Sequence, residues 1–278
     1  MALKSATINV MEAAARKAGR GLIRDFGEVE QLQVSLKGPA NFVSAADHRA
    51  EEIIHAELSR ARPGYSFLME ERGEIKGDDP THRWIVDPLD GTTNFLHSIP
   101  IFSISIALER EGELVAGLIY NPATDETFTA EKGKGAFIND RRRLRVAARS
   151  ELAASVICTG VPHAGRPGHD LFLKELRAIM AASAGIRRTG SAALDLAWTA
   201  AGRFDGFWER DLRPWDIAAG MVILREAGGY MSDANGKDRI LEEGTIVAGN
   251  ETIHAKLLKL LKAAGANATP EAKAASAN

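Results

Sequence analysis

The stretch at residues 84–95 constrains the fold most, because an apolar strand runs directly into a turn that carries two carboxylates. Residues 84–86 are typical of a buried strand, so Asp87 is expected at its C-terminal end, a usual place for functional sites in α/β folds. Pro88 restricts its own backbone and keeps Asp87 extended, which makes the turn stiff and allows Asp90 to lie beside Asp87. Two carboxylates held this close repel each other unless a cation lies between them.

The same turn combines a cation site with groups that suit an anion. Its candidate ligands are oxygen atoms with no Cys or His nearby, which favours a hard ion and Mg²⁺ first. Gly91 lets the backbone approach a ligand closely, and the amides of 91–93 could cradle a phosphate if a helix starts there. A cation beside an anion cradle indicates metal-assisted phosphoryl chemistry. An Asx-rich turn is the structural alternative, whereas an EF-hand loop would need an acidic third position and a closing Glu that are missing.

Composition bounds the class of protein. The chain has 278 residues, 45% of them hydrophobic, which is enough for one large or two medium domains. Its formal net charge of −2 gives no global attraction to nucleic acid or anionic lipid. The single cysteine, Cys158, excludes an internal disulfide framework and fits a reducing compartment, and no apolar run reaches membrane-spanning length. We therefore expect a soluble, cytoplasmic protein that does not bind membranes.

The first half of the chain begins with two predicted helices and continues as a run of strands. Apolar residues at every fourth position from 10 to 22 predict an amphipathic helix that ends near residues 26–27. Residues 44–47 resemble a capping box, so Asp47 is expected at the start of the next helix, and the strand that follows that helix ends in Glu70. Apolar runs at 101–108 and 114–120 predict a hairpin. Neighbouring strands without alternating helices indicate an antiparallel or mixed sheet, and hence an α+β or mixed α/β fold.

The second half also carries acids near the ends of its elements. A strand at 155–158 begins what we predict to be a second domain. Ser191 is expected to be the N-cap of a helix whose free backbone amides point outward. Glu209 ends a short aromatic strand, and Asp216 is interpreted from its position as the N-cap of a long helix. The small, polar composition of 263–278 predicts a disordered tail.

Two separated stretches carry a resemblance to a known family. Residues 87–95, preceded by Trp84, resemble the first signature of the inositol monophosphatase family of Mg²⁺-dependent phosphatases. Residues 215–220 together with 226–229 resemble its second signature, and the two lie in the order that the family shows. The likeness covers residues 5–262.

The resemblance implies a fold and a domain division. The implied architecture is a layered αβαβα sandwich of the sugar-phosphatase type, with two sheets and helices between and outside them. An N-terminal α+β domain would span 1–150, and a C-terminal α/β domain at 151–262 would complete the site. Three positions bear on how closely the chain follows the family: Lys37 matches a basic residue near the family's site, whereas Asn41 and Met69 replace the usual Asp and Gly.

The resemblance also implies a site assembled from distant parts of the chain. Two or three Mg²⁺ ions would be held by Glu70, Asp87, the carbonyl of Leu89, Asp90 and Asp216. The implied catalytic residues are Glu70 and Thr92, with Asp47 behind Thr92, and together they orient the water that attacks phosphorus. The implied substrate-binding residues are Gly91, Thr92, Gly190, Ser191, Ala192, Glu209 and Asp216.

The function implied is hydrolysis of an inositol monophosphate to inositol and phosphate by metal-activated water, in a lithium-sensitive homodimer. Related enzymes that act on nucleotide bisphosphates, fructose bisphosphate or histidinol phosphate share such a metal site, so the acids do not discriminate among these substrates. An alternative of another class is a regulatory protein that binds transcription or ribosome-assembly machinery. Clusters of arginines such as 141–143 give that alternative thin support, and the net charge gives none.

Overall fold

The fold begins with two helices that pack against each other. In the computed structural model, which describes residues 4–28, 34–38 and 41–266, α1 spans Ala6–Phe26 and α2 spans Ala45–Ala61. The Ser5 hydroxyl accepts a hydrogen bond from the Ile8 N–H and so caps α1, whose apolar face is buried as its period predicts. The predictions about the side chains of Lys37 and Asn41 lie outside what the structure describes.

Most strands of the first half form one large sheet. A separate antiparallel hairpin consists of β1 (Val34–Gly38) and β2 (Asn41–Ser44). The large sheet contains β3 (Ser66–Met69), β4 (Gly73–Ile75), β5 (His82–Asp90), β6 (Ser103–Arg110), β7 (Glu113–Asn121), β8 (Glu126–Glu131), β9 (Gly135–Ile138) and β10 (Arg142–Arg143). Its order is β10-β9-β8-β7-β6-β5-β3-β4, and only β3 and β5 run parallel. The mixed sheet expected from the sequence is confirmed.

The second half contributes a smaller sheet and the remaining helices. Its strands are β11 (Val156–Thr159), β12 (Gly185–Arg187), β13 (Gly206–Glu209), β14 (Tyr230–Ser232) and β15 (Ile246–Gly249), in the order β12-β11-β13-β15-β14. The helices are α3 (Thr92–Leu96), α4 (His169–Met180), α5 (Ala192–Ala200), α6 (Pro214–Glu226), α7 (Ile240–Glu243) and α8 (Glu251–Ala266). Because α8 continues to Ala266, the first four residues of the predicted tail are helical, and 267–278 lie outside the described residues.

The elements stack in five layers, which confirms the αβαβα architecture. Helices α1 and α2 cover one face of the large sheet, α5 and α6 lie between the two sheets, and α4 and α8 cover the outer face of the small sheet. Helix α6 lies directly on β7, because a Cβ at Gly117 would come within 2.5 Å of the Ala219 carbonyl oxygen. The predicted domain boundary falls between β10 and β11, but one hydrophobic core joins residues from both halves.

None of the helices in the described ranges is both long enough and apolar enough to span a lipid bilayer.

Candidate functional site

The acidic turn after the central strand is a β-bulge. On β5, Asp87 pairs with Ser105 of β6 and Asp90 pairs with Ser103, so β5 has one residue more than β6 between the two pairs. The Leu89 N–H donates to the Asp87 carboxylate at 2.9 Å, which closes the bulge from inside. A bulge re-aims the side chains that follow it, and here it turns Asp90 away from the regular pleat. Asp87 is buried, whereas Asp90 is half-buried.

Glu70 reaches the same place from the neighbouring strand. Because β3 runs parallel to β5, the N–H of Glu70 donates to the Val86 carbonyl at 3.2 Å, and Glu70 ends its strand beside Asp87. The turn after Glu70 is held from α2, where the buried Glu51 carboxylate accepts the N–H of Glu71 at 2.8 Å. Sequence reasoning missed Glu51, although its spacing of one helical turn from Asp47 was visible.

Asp47 and Thr92 are in contact, as the resemblance implied. The Thr92 side-chain oxygen lies 3.1 Å from the Asp47 carboxylate and 3.0 Å from the Leu89 carbonyl oxygen, so its single hydrogen has two candidate acceptors. Asp47 is buried in the first turn of α2, which fixes its direction. The contact is therefore present, and the catalytic role of the pair stays a prediction.

The second half of the chain reaches Asp90 through the start of α5. Ser191 is the N-cap of that helix, as predicted, and its hydroxyl donates to the Asp90 carboxylate. The N–H of Ala193 donates to the same carboxylate oxygen at 2.8 Å, and the N–H of Leu194 donates to the Ser191 oxygen at 3.3 Å. The expectation of free, outward-pointing amides is wrong, because Asp90 is an anion at a helix N-terminus and takes these donors. Lining of a substrate ring by Gly190, Ser191 and Ala192 stays a prediction.

Asp216 lies in the first turn of α6, but it is not the N-cap. Arg213 occupies that position, Pro214 begins the helix, and the Asp216 carboxylate accepts the Arg213 N–H at 2.7 Å from the third helical position. The interpretation of Asp216 as N-cap is therefore wrong by three positions, because Pro214 fits the first helical position, where no N–H is needed. The Ser105 hydroxyl donates to the Trp215 carbonyl at 3.0 Å and brings this turn beside the bulge of β5.

Glu209 ends β13 and packs against a glycine that sequence reasoning did not single out. A Cβ built on Gly160 would lie 1.7 Å from a carboxylate oxygen of Glu209, so only glycine fits there without displacing the acid. Gly160 follows β11, which is parallel to β13, so the two strands end side by side. A glycine directly after a buried strand was the available signal.

The acids of the site influence one another strongly. Burial raises the pKa of Asp87 well above its ordinary value, and the nearby charges of Glu70, Asp90 and Asp216 raise it further. Burial also raises the pKa of Asp90 to about 6, opposed by its hydrogen bonds from Ser191 and Ala193. For Asp216, burial and the charge of Asp90 raise the pKa to about 7. Four carboxylates from three separate segments therefore share one electrostatic environment.

Further acids extend this environment toward the small sheet. Burial raises the pKa of Glu209 well above its ordinary value, assisted by the charges of Asp195, Asp216 and Asp90. Asp195, which sequence reasoning missed, is a buried residue of α5 that accepts the Thr189 hydroxyl at 2.6 Å. The positive charge of Arg166 opposes these increases, because it lowers the pKa of both Glu209 and Asp216.

These acids suit a hard divalent cation, although they do not form a closed cage. In the part of the chain that the structure describes, no three Asp, Glu, His or Cys side chains are placed so that they could hold a metal ion as they stand. The same carboxylates nevertheless raise one another's pKa, which indicates a shared excess of negative charge. Three of these carboxylates are oriented by local donors, because Asp87 accepts from the Leu89 N–H, Asp90 from Ser191 and Ala193, and Asp216 from the Arg213 N–H. Because the donor set consists of oxygen atoms, including the Leu89 carbonyl, it fits Mg²⁺ better than a soft metal.

Comparison with known proteins agrees with this geometry. The chain matches the inositol monophosphatase family over residues 3–266. An inositol-1-monophosphatase of Mesorhizobium japonicum is 64% identical over 259 residues, covering 93% of this chain and 97% of that protein. The crystal structure of extragenic suppressor protein suhB from Bartonella henselae has a TM-score of 0.91 at 61% identity, covering 93% of this chain and 99% of that one.

A more distant relative carries a different name. A putative Nus factor SuhB of Neisseria meningitidis serogroup B is 43% identical over 256 residues, covering 92% of this chain and 98% of that protein. The match to the family model nevertheless covers nearly the whole chain and contains every acid of the site. The chain thus belongs to the inositol monophosphatase family and is a phosphoric monoester hydrolase.

Proposed function

We propose that this protein hydrolyses inositol monophosphate to inositol and phosphate with the help of Mg²⁺. The observation that carries the proposal is the group of acids around Asp87, whose pKa is raised by the charges of Glu70, Asp90 and Asp216 after the effect of burial. The group lies beside the Thr92–Asp47 contact, so excess negative charge and a candidate water-orienting hydroxyl occur together.

Metal binding is assigned to the groups that the bulge and its neighbours bring together. The proposed ligands of two or three Mg²⁺ ions are Glu70, Asp87, the carbonyl of Leu89, Asp90 and Asp216. These residues would hold Mg²⁺ so that, when bound, it would supply Lewis acidity toward a water and toward the leaving oxygen. No residue of the protein then has to act as a nucleophile or as a strong acid.

The attacking water is oriented by Glu70 and Thr92 in this proposal. The Thr92 hydroxyl has a single hydrogen, and donating it to Asp47 leaves the Thr92 oxygen free to accept from a water. The Glu70 carboxylate accepts the proton that the water loses. Asp47 acts through Thr92 and fixes the direction of its hydroxyl.

Substrate binding uses both halves of the chain. The amides of Gly91 and Thr92 face the phosphoryl oxygens, and the left-handed backbone of Gly91, with φ of +94°, favours glycine at that position. Glu209 and Asp216 accept hydrogen bonds from the inositol hydroxyls. The turn formed by Gly190, Ser191 and Ala192 lies against the ring.

A substrate panel is the direct test of the activity. With Mg²⁺ present, we expect phosphate release from inositol 1-phosphate to exceed release from fructose bisphosphate, a nucleotide bisphosphate and histidinol phosphate. Chelation of Mg²⁺ should remove the activity, and Li⁺ should inhibit it. Faster hydrolysis of any other substrate in the panel would reject inositol phosphate as the preferred substrate, and activity unaffected by chelation would reject the metal assignment.

The Gly160→Ala variant tests the role assigned to Glu209. The added methyl group should displace the Glu209 carboxylate and leave the backbone in place, because the atoms nearest to that methyl group all belong to the Glu209 side chain. We expect the KM for inositol 1-phosphate to rise roughly tenfold, as small misplacements of binding groups do. The double variant with Glu209→Gln should lose little more than either single variant, because both act on one group. If the effects of the two single variants on KM add up in the double variant, Gly160 would act on substrate binding by a route other than Glu209.

The name of the Neisseria relative favours a second candidate function, binding to transcription machinery. This binding can be tested by capturing partners from a cell extract with the Asp90→Asn variant, which is expected to be catalytically inactive. A specific partner that is retained at high salt would support a regulatory role, whereas release at moderate salt would indicate charge attraction by surface arginines. The predicted homodimer and cytoplasmic location stay predictions.

A further inference from the structure

Asn94 connects the two halves of the chain beside the site. It lies in α3, directly after the acidic turn, and only 4% of its surface is exposed. Its side-chain amide donates to the Ile101 carbonyl at 2.8 Å and to the Thr189 carbonyl at 2.8 Å, so both of its hydrogens are used. The first acceptor belongs to the segment before β6, and the second belongs to the turn that leads into α5.

The backbone packs closely at the same place, independently of that hydrogen bonding. A Cβ on Gly91 would lie 3.2 Å from the Gly190 carbonyl oxygen and 3.0 Å from the Ile101 carbonyl oxygen. A Cβ on Gly190 would lie 2.8 Å from the Asn94 amide nitrogen. Both glycines also have φ values above +90°, which side chains disfavour. The acidic turn and the Thr189–Ser191 turn are thus held in direct contact.

The contact between the two turns extends to the carboxylate of Asp90. Ser191 follows the glycine that touches Asn94, and its hydroxyl donates to Asp90. The Ser103 hydroxyl of β6 lies 3.3 Å from the Ser191 hydroxyl and links that strand to the same turn. A shift of the Thr189–Ser191 turn would therefore move one wall of the substrate site relative to Asp90.

We propose that Asn94 is a positioning residue that sets substrate selectivity, by fixing the turn at Gly190 and Ser191 against the acidic turn. It touches neither phosphate nor metal in this role. The proposal rests on the proposed function, because it assigns the Gly190–Ser191 turn to the inositol ring. A substrate without a ring of hydroxyls makes no use of the Gly190–Ser191 turn as a binding wall, so its hydrolysis should fall less than that of the inositol ester when Asn94 is changed.

The test is the Asn94→Asp variant, which keeps the shape of the side chain but turns a donor into an acceptor facing two carbonyl oxygens. Asn250 supplies a matched control, because its amide also donates to two carbonyls, of Ala147 at 2.8 Å and Arg149 at 2.7 Å. Kinetics are measured on inositol 1-phosphate and on p-nitrophenyl phosphate, with Tm recorded for each variant. We expect Asn94→Asp to lower the kcat/KM for inositol 1-phosphate, relative to the kcat/KM for p-nitrophenyl phosphate, roughly tenfold. Most of this change should come from a higher KM for the inositol ester. Asn250→Asp should lower Tm and leave the ratio unchanged.

The outcomes separate the two proposals. A wild-type protein that hydrolyses p-nitrophenyl phosphate but not inositol 1-phosphate would overturn the proposed function and, with it, the selectivity role of Asn94. A wild-type protein that prefers the inositol ester, with an unchanged ratio in Asn94→Asp, would overturn only the role of Asn94. If Asn94→Asp does not fold, Asn94→Ala replaces it, since Ala removes the donors without adding charge. Failure of both variants to fold would assign Asn94 to stability and reject selectivity.

Discussion

The Asp90→Asn variant is expected to lose nearly all phosphatase activity while keeping its fold. Asparagine retains an oxygen that can accept from Ser191 or Ala193, so the start of α5 stays anchored. It loses the negative charge assigned to a divalent ion, and turnover should fall at least roughly a thousandfold, as for removal of other groups that stabilise transition-state charge. Phosphate release measured over a wide range of Mg²⁺ concentrations, together with Tm, checks this result.

Asp205 provides the control for that variant. It is another buried aspartate, which accepts the Val156 N–H at 2.8 Å and pairs with Arg149 at 2.9 Å. It precedes β13, at the opposite end of that strand from Glu209. Asp205→Asn should cost stability and leave the turnover of the folded enzyme close to wild type. Near wild-type turnover in Asp90→Asn at any Mg²⁺ concentration would contradict the ligand assignment.

Without a divalent ion, the protein is expected to lose stability as the pH rises through the range between the ordinary and the raised pKa values of its acids. Burial raises the pKa of Asp90 to about 6 and the pKa of Asp216 to about 7, against an ordinary value of 3.8. A carboxyl group with a higher pKa in the folded state binds more protons when folded. Its contribution to the free energy of unfolding is therefore full below pH 3.8 and is lost as the pH rises through 6 and 7.

Thermal unfolding in a chelator at pH 5 and at pH 7.5 measures this effect. The fall in Tm between the two should be on the order of 5 °C for a chain of this size. Saturating Mg²⁺ should remove most of the fall, because a cation stabilises the charged carboxylates. In chelator, Asp216→Asn should reduce the difference in Tm between pH 5 and pH 7.5, whereas Asp205→Asn should leave that difference unchanged. Identical profiles with and without Mg²⁺ would mean that these acids do not share a cation.

The sequence by itself determined the parts of the site that depend on local order. The apolar strand before Asp87, Pro88 after it and Gly91 at the start of α3 give the acidic turn its shape through the conformational limits of each residue. Glu70 and Glu209 were likewise predictable as acids that follow strands. Even the five-layer fold followed from resemblance, since two short stretches identified the family.

Only the tertiary structure decided which distant groups meet. Ser191 and Ala193 donate to Asp90 across about a hundred positions of chain, and this overturned the expectation of free amides. Sequence reasoning assigned no role to Asn94, although it lies in the acidic stretch, nor to Gly160, Asp195 and Glu51. The contacts of these residues come from what the packing of the two sheets places beside them. The physical reason is that hydrogen bonding and close packing depend on distance in space, which a sequence pattern specifies only within one element and its caps.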